Sequence, residues 1–102
     1  MTNQPPSLKL VLGQAPVLVR LAPLLKGLFP DADMRLELHA ASVDEMVNAL
    51  DARWPGMRDR ICDSTPAIRR HINVFVNGRR ATLATVLAPG ADVFVLTAMS
   101  GG

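Results

Sequence analysis

A chain of 102 residues with a formal charge of +2 has room for one small domain and little for a second. Its few aromatics, Phe29, Phe75, Phe94 and Trp54, cannot build a stacking platform, and the slight basic excess does not point to nucleic acid. One cysteine, Cys62, excludes an internal disulfide and a multi-cysteine metal or iron–sulfur site, and the longest apolar runs fall far short of the ~20 residues that span a bilayer.

The opening Met1-Thr2-Asn3-Gln4-Pro5-Pro6 has no charged region followed by a long apolar stretch. No signal peptide is therefore expected, and the protein is read as cytoplasmic. Residues 1–16 read as a flexible leader, punctuated by Pro5-Pro6, Gly13 and Pro16, ahead of one domain over residues 17–102. Val17 to Ala22 reads as the first strand, stopped by Pro23, which has no N–H to give to a ladder. Leu24 to Phe29 reads as an apolar connection and Pro30 to Asp33 as a turn. Met34-Arg35-Leu36-Glu37-Leu38 then alternates with period two, the pattern of a half-buried strand. The closeness of the two strands predicts an antiparallel hairpin with a long loop.

Ser42-Val43-Asp44-Glu45 is a capping box, and Val43, Met46, Val47, Leu50 and Trp54 share one helical face until Pro55-Gly56. Met57 to Cys62 adds one or two helical turns. Ile72 to Val76 is a dense β run closed by a tight turn at Asn77-Gly78. Ala81 to Leu87 is expected to be a short edge strand. Pro89-Gly90 turns the chain into a last strand, Val93 to Leu96. Hairpin, helix, strand, short strand, strand is the order of a two-layer α+β fold. The expected architecture is a β-grasp, ubiquitin-like domain: a mixed four- to five-stranded sheet with one main helix across one face.

Three residues after the apolar run, the sequence finishes Ser100-Gly101-Gly102. Two glycines carry no Cβ, so the end is a thin thread bearing a carboxylate. A narrow channel in a partner admits such a thread and rejects a bulkier one. Alternation in the last strand turns Val93 and Val95 toward the helix. Phe94 and Leu96, with Phe75, then form an exposed apolar patch on the uncovered sheet face, a candidate partner site. Arg69, Arg70, Arg79 and Arg80 form either a basic rim suited to an acidic groove or a solvated edge.

Five stretches carry a family resemblance over residues 17–102. They are Val19-Arg20-Leu21-Ala22-Pro23-Leu24-Leu25-Lys26, Ser42-Val43-Asp44-Glu45-Met46-Val47, Asn73-Val74-Phe75-Val76-Asn77-Gly78, Leu87-Ala88-Pro89-Gly90-Ala91-Asp92-Val93 and Met99-Ser100-Gly101-Gly102. In order and spacing they resemble the ubiquitin-like sulfur carriers of the MoaD/ThiS family. Residues 53–61 and 68–74 look most like its CysO branch, the carriers for cysteine synthesis. Ala91 and Thr97-Ala98 depart from the family's usual residues, and so does the long leader.

The resemblance implies a chemistry. An E1-like adenylating enzyme uses ATP to form an acyl-adenylate on Gly102, sulfur displaces AMP, and a thiocarboxylate results. A sulfur-accepting synthase or large subunit then takes the sulfur. The tail would comprise Ser100, Gly101 and Gly102, and partner contacts would fall on Phe94, Leu96, Phe75 and Met99. No cofactor is expected to be bound by the chain itself, nor any metal, nucleic acid or membrane. No catalytic residue is assigned, because the hydroxyls, His39, His71 and Cys62 show no nucleophile–base spacing. Cys62 reads as a small packing residue and His71 as a strand-entry residue. Alternatives stand beside the carrier reading: the small subunit of molybdopterin synthase, a ubiquitin-like protein modifier, or a plain interaction domain. The sequence does not choose among molybdopterin, thiamin and cysteine pathways.

Overall fold

A computed structural model describes residues 15–97. Most of the leader expected over residues 1–16, and Met99, Ser100, Gly101 and Gly102, lie outside the described residues. The first strand, β1 (Val17–Leu21), buries Val17, Val19 and Leu21 and turns Leu18 and Arg20 to the other face. Pro23 then does more than stop the strand. It opens a short helix, α1 (Pro23–Leu28), at a position where its missing N–H has no intrahelical partner to lose. The apolar connection expected there is thus helical. Leu25 enters the core, while Leu24 and Leu28 face outward. The Lys26 ammonium closes the following turn by donating to the carbonyls of Pro30 (2.7 Å) and Ala32 (2.9 Å).

The second strand, β2 (Arg35–Leu38), pairs antiparallel with β1, Val17 opposite Leu38 and Val19 opposite Leu36, so the buried residues share one face. Met34 lies just outside it. The main helix, α2 (Val43–Arg53), buries Val43, Met46, Val47 and Leu50 completely. The Ser42 hydroxyl accepts from the Glu45 amide at 3.2 Å. The Glu45 carboxylate reaches back one residue further than a capping box predicts, accepting from the Ala41 amide at 2.9 Å. Trp54 caps the helix and is half-buried against the core.

Asp51 joins this helix to the next, α3 (Met57–Ile61). One carboxylate oxygen accepts from the amides of both Gly56 and Arg58 at 3.0 Å. Gly56 sits at φ +99°, where a side chain would be strained, and Phe29 lies against it. Arg58 adds a second tie by donating to Asp44 (2.8 Å) and Asn48 (2.7 Å) on α2.

The remaining strands are β3 (Ile72–Val76), β4 (Arg79–Arg80) and β5 (Asp92–Thr97). The turn between β3 and β4 uses Asn77 (φ 51°) and Gly78 (φ 84°), the left-handed pair of a two-residue hairpin. The edge strand is therefore Arg79–Arg80, and not the expected Ala81 to Leu87. That segment gives its hydrogen bonds to the approach of α2: Val43 and Asp44 amides donate to Thr85 and Leu83, and the Leu87 amide to Ala41. Ala81 and Leu87 are buried in the core.

The sheet runs β2-β1-β5-β3-β4. β5 pairs parallel with β1 and antiparallel with β3. All helices pack their buried residues on the face bearing Val19, Val74, Val93 and Val95. The result is the α+β β-grasp architecture, a mixed five-stranded sheet with one main helix. Among the described residues, no helix is long and apolar enough to cross a membrane.

Candidate functional site

The face of the sheet away from the helices is built around β5. Val93 and Val95 are fully buried, so Phe94 and Leu96 project to the opposite side as the alternation predicts. The register sets Phe75 of β3 beside Phe94 and Asn73 beside Leu96. The three residues expected at a partner site, Phe94, Leu96 and Phe75, thus stand together. They are half-buried, not exposed as the sequence suggests.

For Phe94 the cover comes from the neighbouring strand. Arg20 is registered with Phe94, and its guanidinium carbon lies 4.4 Å from the ring centroid. The same guanidinium holds both oxygens of Asp92 at 3.1 and 3.3 Å. Arg20 therefore roofs the ring while staying half in water, an arrangement that adds cation–π attraction to the packing. At the far side, Arg80 donates to Asn73 and fixes that border. Leu18, also on this face, is 43% exposed. Sequence reasoning missed Leu18 and Arg20 as members of the patch, although the alternation of β1 identifies both.

Three of the four arginines expected as a basic rim, Arg69, Arg70 and Arg80, line one hollow; Arg79 and Arg80 occupy β4, and Arg69 and Arg70 also line a cleft that receives Thr97. That cleft lies where β5 hands on to the residues after Thr97.

The other reactive groups are dispersed. Cys62 is buried, and burial pushes its thiol above the ordinary range despite the opposing pull of Arg58. A protonated, enclosed thiol packs and does not attack. His39 and His71 are both exposed and line different clefts. Among the described residues, no group of three His, Cys, Asp or Glu side chains could hold a metal ion.

Comparison with known proteins adds a family and a set of folds. The family model described as "ThiS family" matches residues 30–102. No curated protein sequence matches the chain. Among solved structures, a chain of the Amycolatopsis orientalis BexX/CysO complex is 24% identical with a TM-score of 0.75, covering 84% of this chain and 99% of that one. SAMP1 from Haloferax volcanii is 24% identical with a TM-score of 0.70, covering 84% and 98%. Mycobacterium tuberculosis CysO is 22% identical with a TM-score of 0.72, covering 81% and 99%.

Proposed function

The chain belongs to the ThiS family of ubiquitin-like sulfur carriers, and on that premise we propose that Gly102 is the point where sulfur is loaded. Its carboxylate, ionised at neutral pH, is a poor electrophile. An activating enzyme supplies ATP. The carboxylate attacks the α-phosphate, pyrophosphate leaves, and an acyl-adenylate forms. Hydrosulfide then adds to the carbonyl and AMP departs, leaving a thiocarboxylate. A second partner consumes that group in cofactor or cysteine biosynthesis.

In this reading the chain is a substrate and carrier, not a catalyst. The burial of Cys62 and the separation of His39 from His71 support that. The observation that carries the proposal is the position of β5. It lies between β1 and β3, carries Phe94 and Leu96 outward, and leads at Thr97 into the residues that end in Gly101-Gly102. A partner seated on Phe94, Leu96 and Phe75 holds the strand from which the tail starts.

Intact mass tests it. After incubation with the activating enzyme, ATP and a sulfur donor, the chain gains the mass difference between sulfur and oxygen. A chain lacking Gly101 and Gly102 gains nothing, with an unchanged melting temperature. An unchanged mass for the complete chain overturns the proposal. A ladder of larger conjugates with lysine-bearing proteins identifies a modifier instead.

A further inference from the structure

An open cleft of about 930 Å³ lies beside Thr97, apart from the patch on the outer sheet face. One wall is aliphatic: Leu24 and Leu28 of α1 are 59% and 43% exposed, and Phe29 lies beside them. Exposed leucines on a short amphipathic helix are unpartnered apolar surface. The other wall is cationic, with Arg60, Arg69 and Arg70.

No close ion pair among the described residues neutralises Arg60, Arg69 or Arg70, although the Asp63 carboxylate feels the charge of Arg69 from a distance. Among the described residues, the two ion pairs are Arg20–Asp92 and Arg58–Asp44, on other parts of the molecule. Two acids also line the cleft, but neither meets a guanidinium. Asp63 turns its carboxylate to its own loop, accepting from the amides of Thr65 (2.9 Å) and Ala67 (3.0 Å) and from the Thr65 hydroxyl. Asp59 engages Arg69 only through its backbone carbonyl, at 2.7 Å. Guanidinium forks left open in this way suit carboxylates, which they can grip with two parallel bonds.

The two walls together select the occupant. Nucleic acid would satisfy the arginines but leave Leu24 and Leu28 against phosphate or water, and the cleft offers no stacking platform. A small molecule needs a site that encloses most of its surface, and this trough is open. A protein segment bearing both carboxylates and a leucine-type side chain satisfies both walls.

We propose that this cleft docks an acidic, leucine-bearing segment of the enzyme that activates the tail. The inference rests on the activation reading given above. Thr97 lines the same cleft, so an enzyme gripping here holds the base of the tail. Thr97 precedes the reacting carboxylate by five residues in sequence, and binding energy gained outside the reacting group serves to position it.

ATP–pyrophosphate exchange by the activating enzyme, followed against the concentration of the full chain, reads this interface. Arg70→Glu places like charges together and Leu24→Ser removes the apolar contact. Each raises the half-saturating carrier concentration on the order of tenfold. Both positions are exposed, and circular dichroism verifies that the fold is kept. Arg79→Glu makes the same charge change on β4 and leaves the concentration dependence unchanged. If Arg70→Glu and Leu24→Ser behave as the unaltered chain, the cleft is not a docking surface while the activation reading stands. If Arg79→Glu weakens exchange as much as Arg70→Glu, net charge alone matters and the cleft is again excluded. If the unaltered chain supports no exchange, both readings fall.

Discussion

Arg20 and Phe94 stack across the parallel ladder between β1 and β5, guanidinium over ring at 4.4 Å. Asp92, two residues before Phe94 on the same strand, holds that guanidinium in place. Each piece is modest alone. A half-exposed ion pair contributes at most about 1 kcal/mol, and an exposed cation–π contact about 0.5–1. Together they hold the ring on the outer sheet face flanked by an ordered cation.

The two faces of β5 separate folding from recognition. Val95→Asp buries an unpaired charge in the core and unfolds the domain. Leu96→Asp leaves the charge on the outer face, so the fold stays and binding to the activating enzyme is lost. Circular dichroism and titration calorimetry on both variants check this. A folded Val95→Asp with an unfolded Leu96→Asp shifts the register by one residue.

Leu50 is completely buried in the middle of the apolar face of α2. Leu50→Ala removes its side chain and leaves a cavity, destabilising by about 2–5 kcal/mol. Urea denaturation measures the loss, and a change below about 0.5 kcal/mol contradicts the packing described.

Asp51 satisfies two amides at the entry to α3. Asp51→Ala leaves both without that acceptor and costs about 0.5–2 kcal/mol, the range for loss of a helix-capping side chain. Asp51→Asn keeps an acceptor oxygen and loses less. Equal losses in the two variants mean that the charge, and not the acceptor, matters.

Burial raises the Cys62 thiol above its unfolded value. Its contribution to stability is therefore fully present below the unfolded pKa, about 8.5, and is lost as pH rises through the higher folded value. The unfolded chain releases its proton first, so alkaline pH favours unfolding. Cys62→Ala flattens this alkaline decline relative to the unaltered chain in denaturation series run across that range. Iodoacetamide labels Cys62 slowly in the native protein and rapidly in urea. Parallel alkaline slopes, or fast native labelling, contradict the burial argument.

Residues with local signals were legible in the sequence. Ser42 and Glu45 mark the start of α2, and the spacing of Val43, Met46, Val47 and Leu50 gives its buried face. The alternation of β5 gave Phe94 and Leu96 their direction. The α1 helix was not legible, because six residues with Gly27 inside and no side-chain cap at Ala22 carry too little periodicity. Ala81 to Leu87 has strand-like composition, but its partners are the Ala41 carbonyl ahead of α2 and the Val43 and Asp44 amides of its first turn, a tertiary choice. The half-burial of Phe94 depends on Arg20, far away in sequence and adjacent only through the parallel pairing. The cleft joins Leu24, Arg60, Arg70 and Thr97, which no short stretch brings together.

The central place of β5 has a bearing on synthesis. Without Asp92–Thr97, β1 and β3 share no ladder, and the sheet falls into two separate hairpins, β1–β2 and β3–β4. Pairing that spans most of the chain is also the slowest kind to form. The nascent polypeptide thus cannot complete its fold until the strand directly ahead of the last five residues has been made. Products terminated before Asp92 lack the strand that joins the two halves of the sheet. Their two unpaired hairpins leave the core incomplete and open to proteolysis.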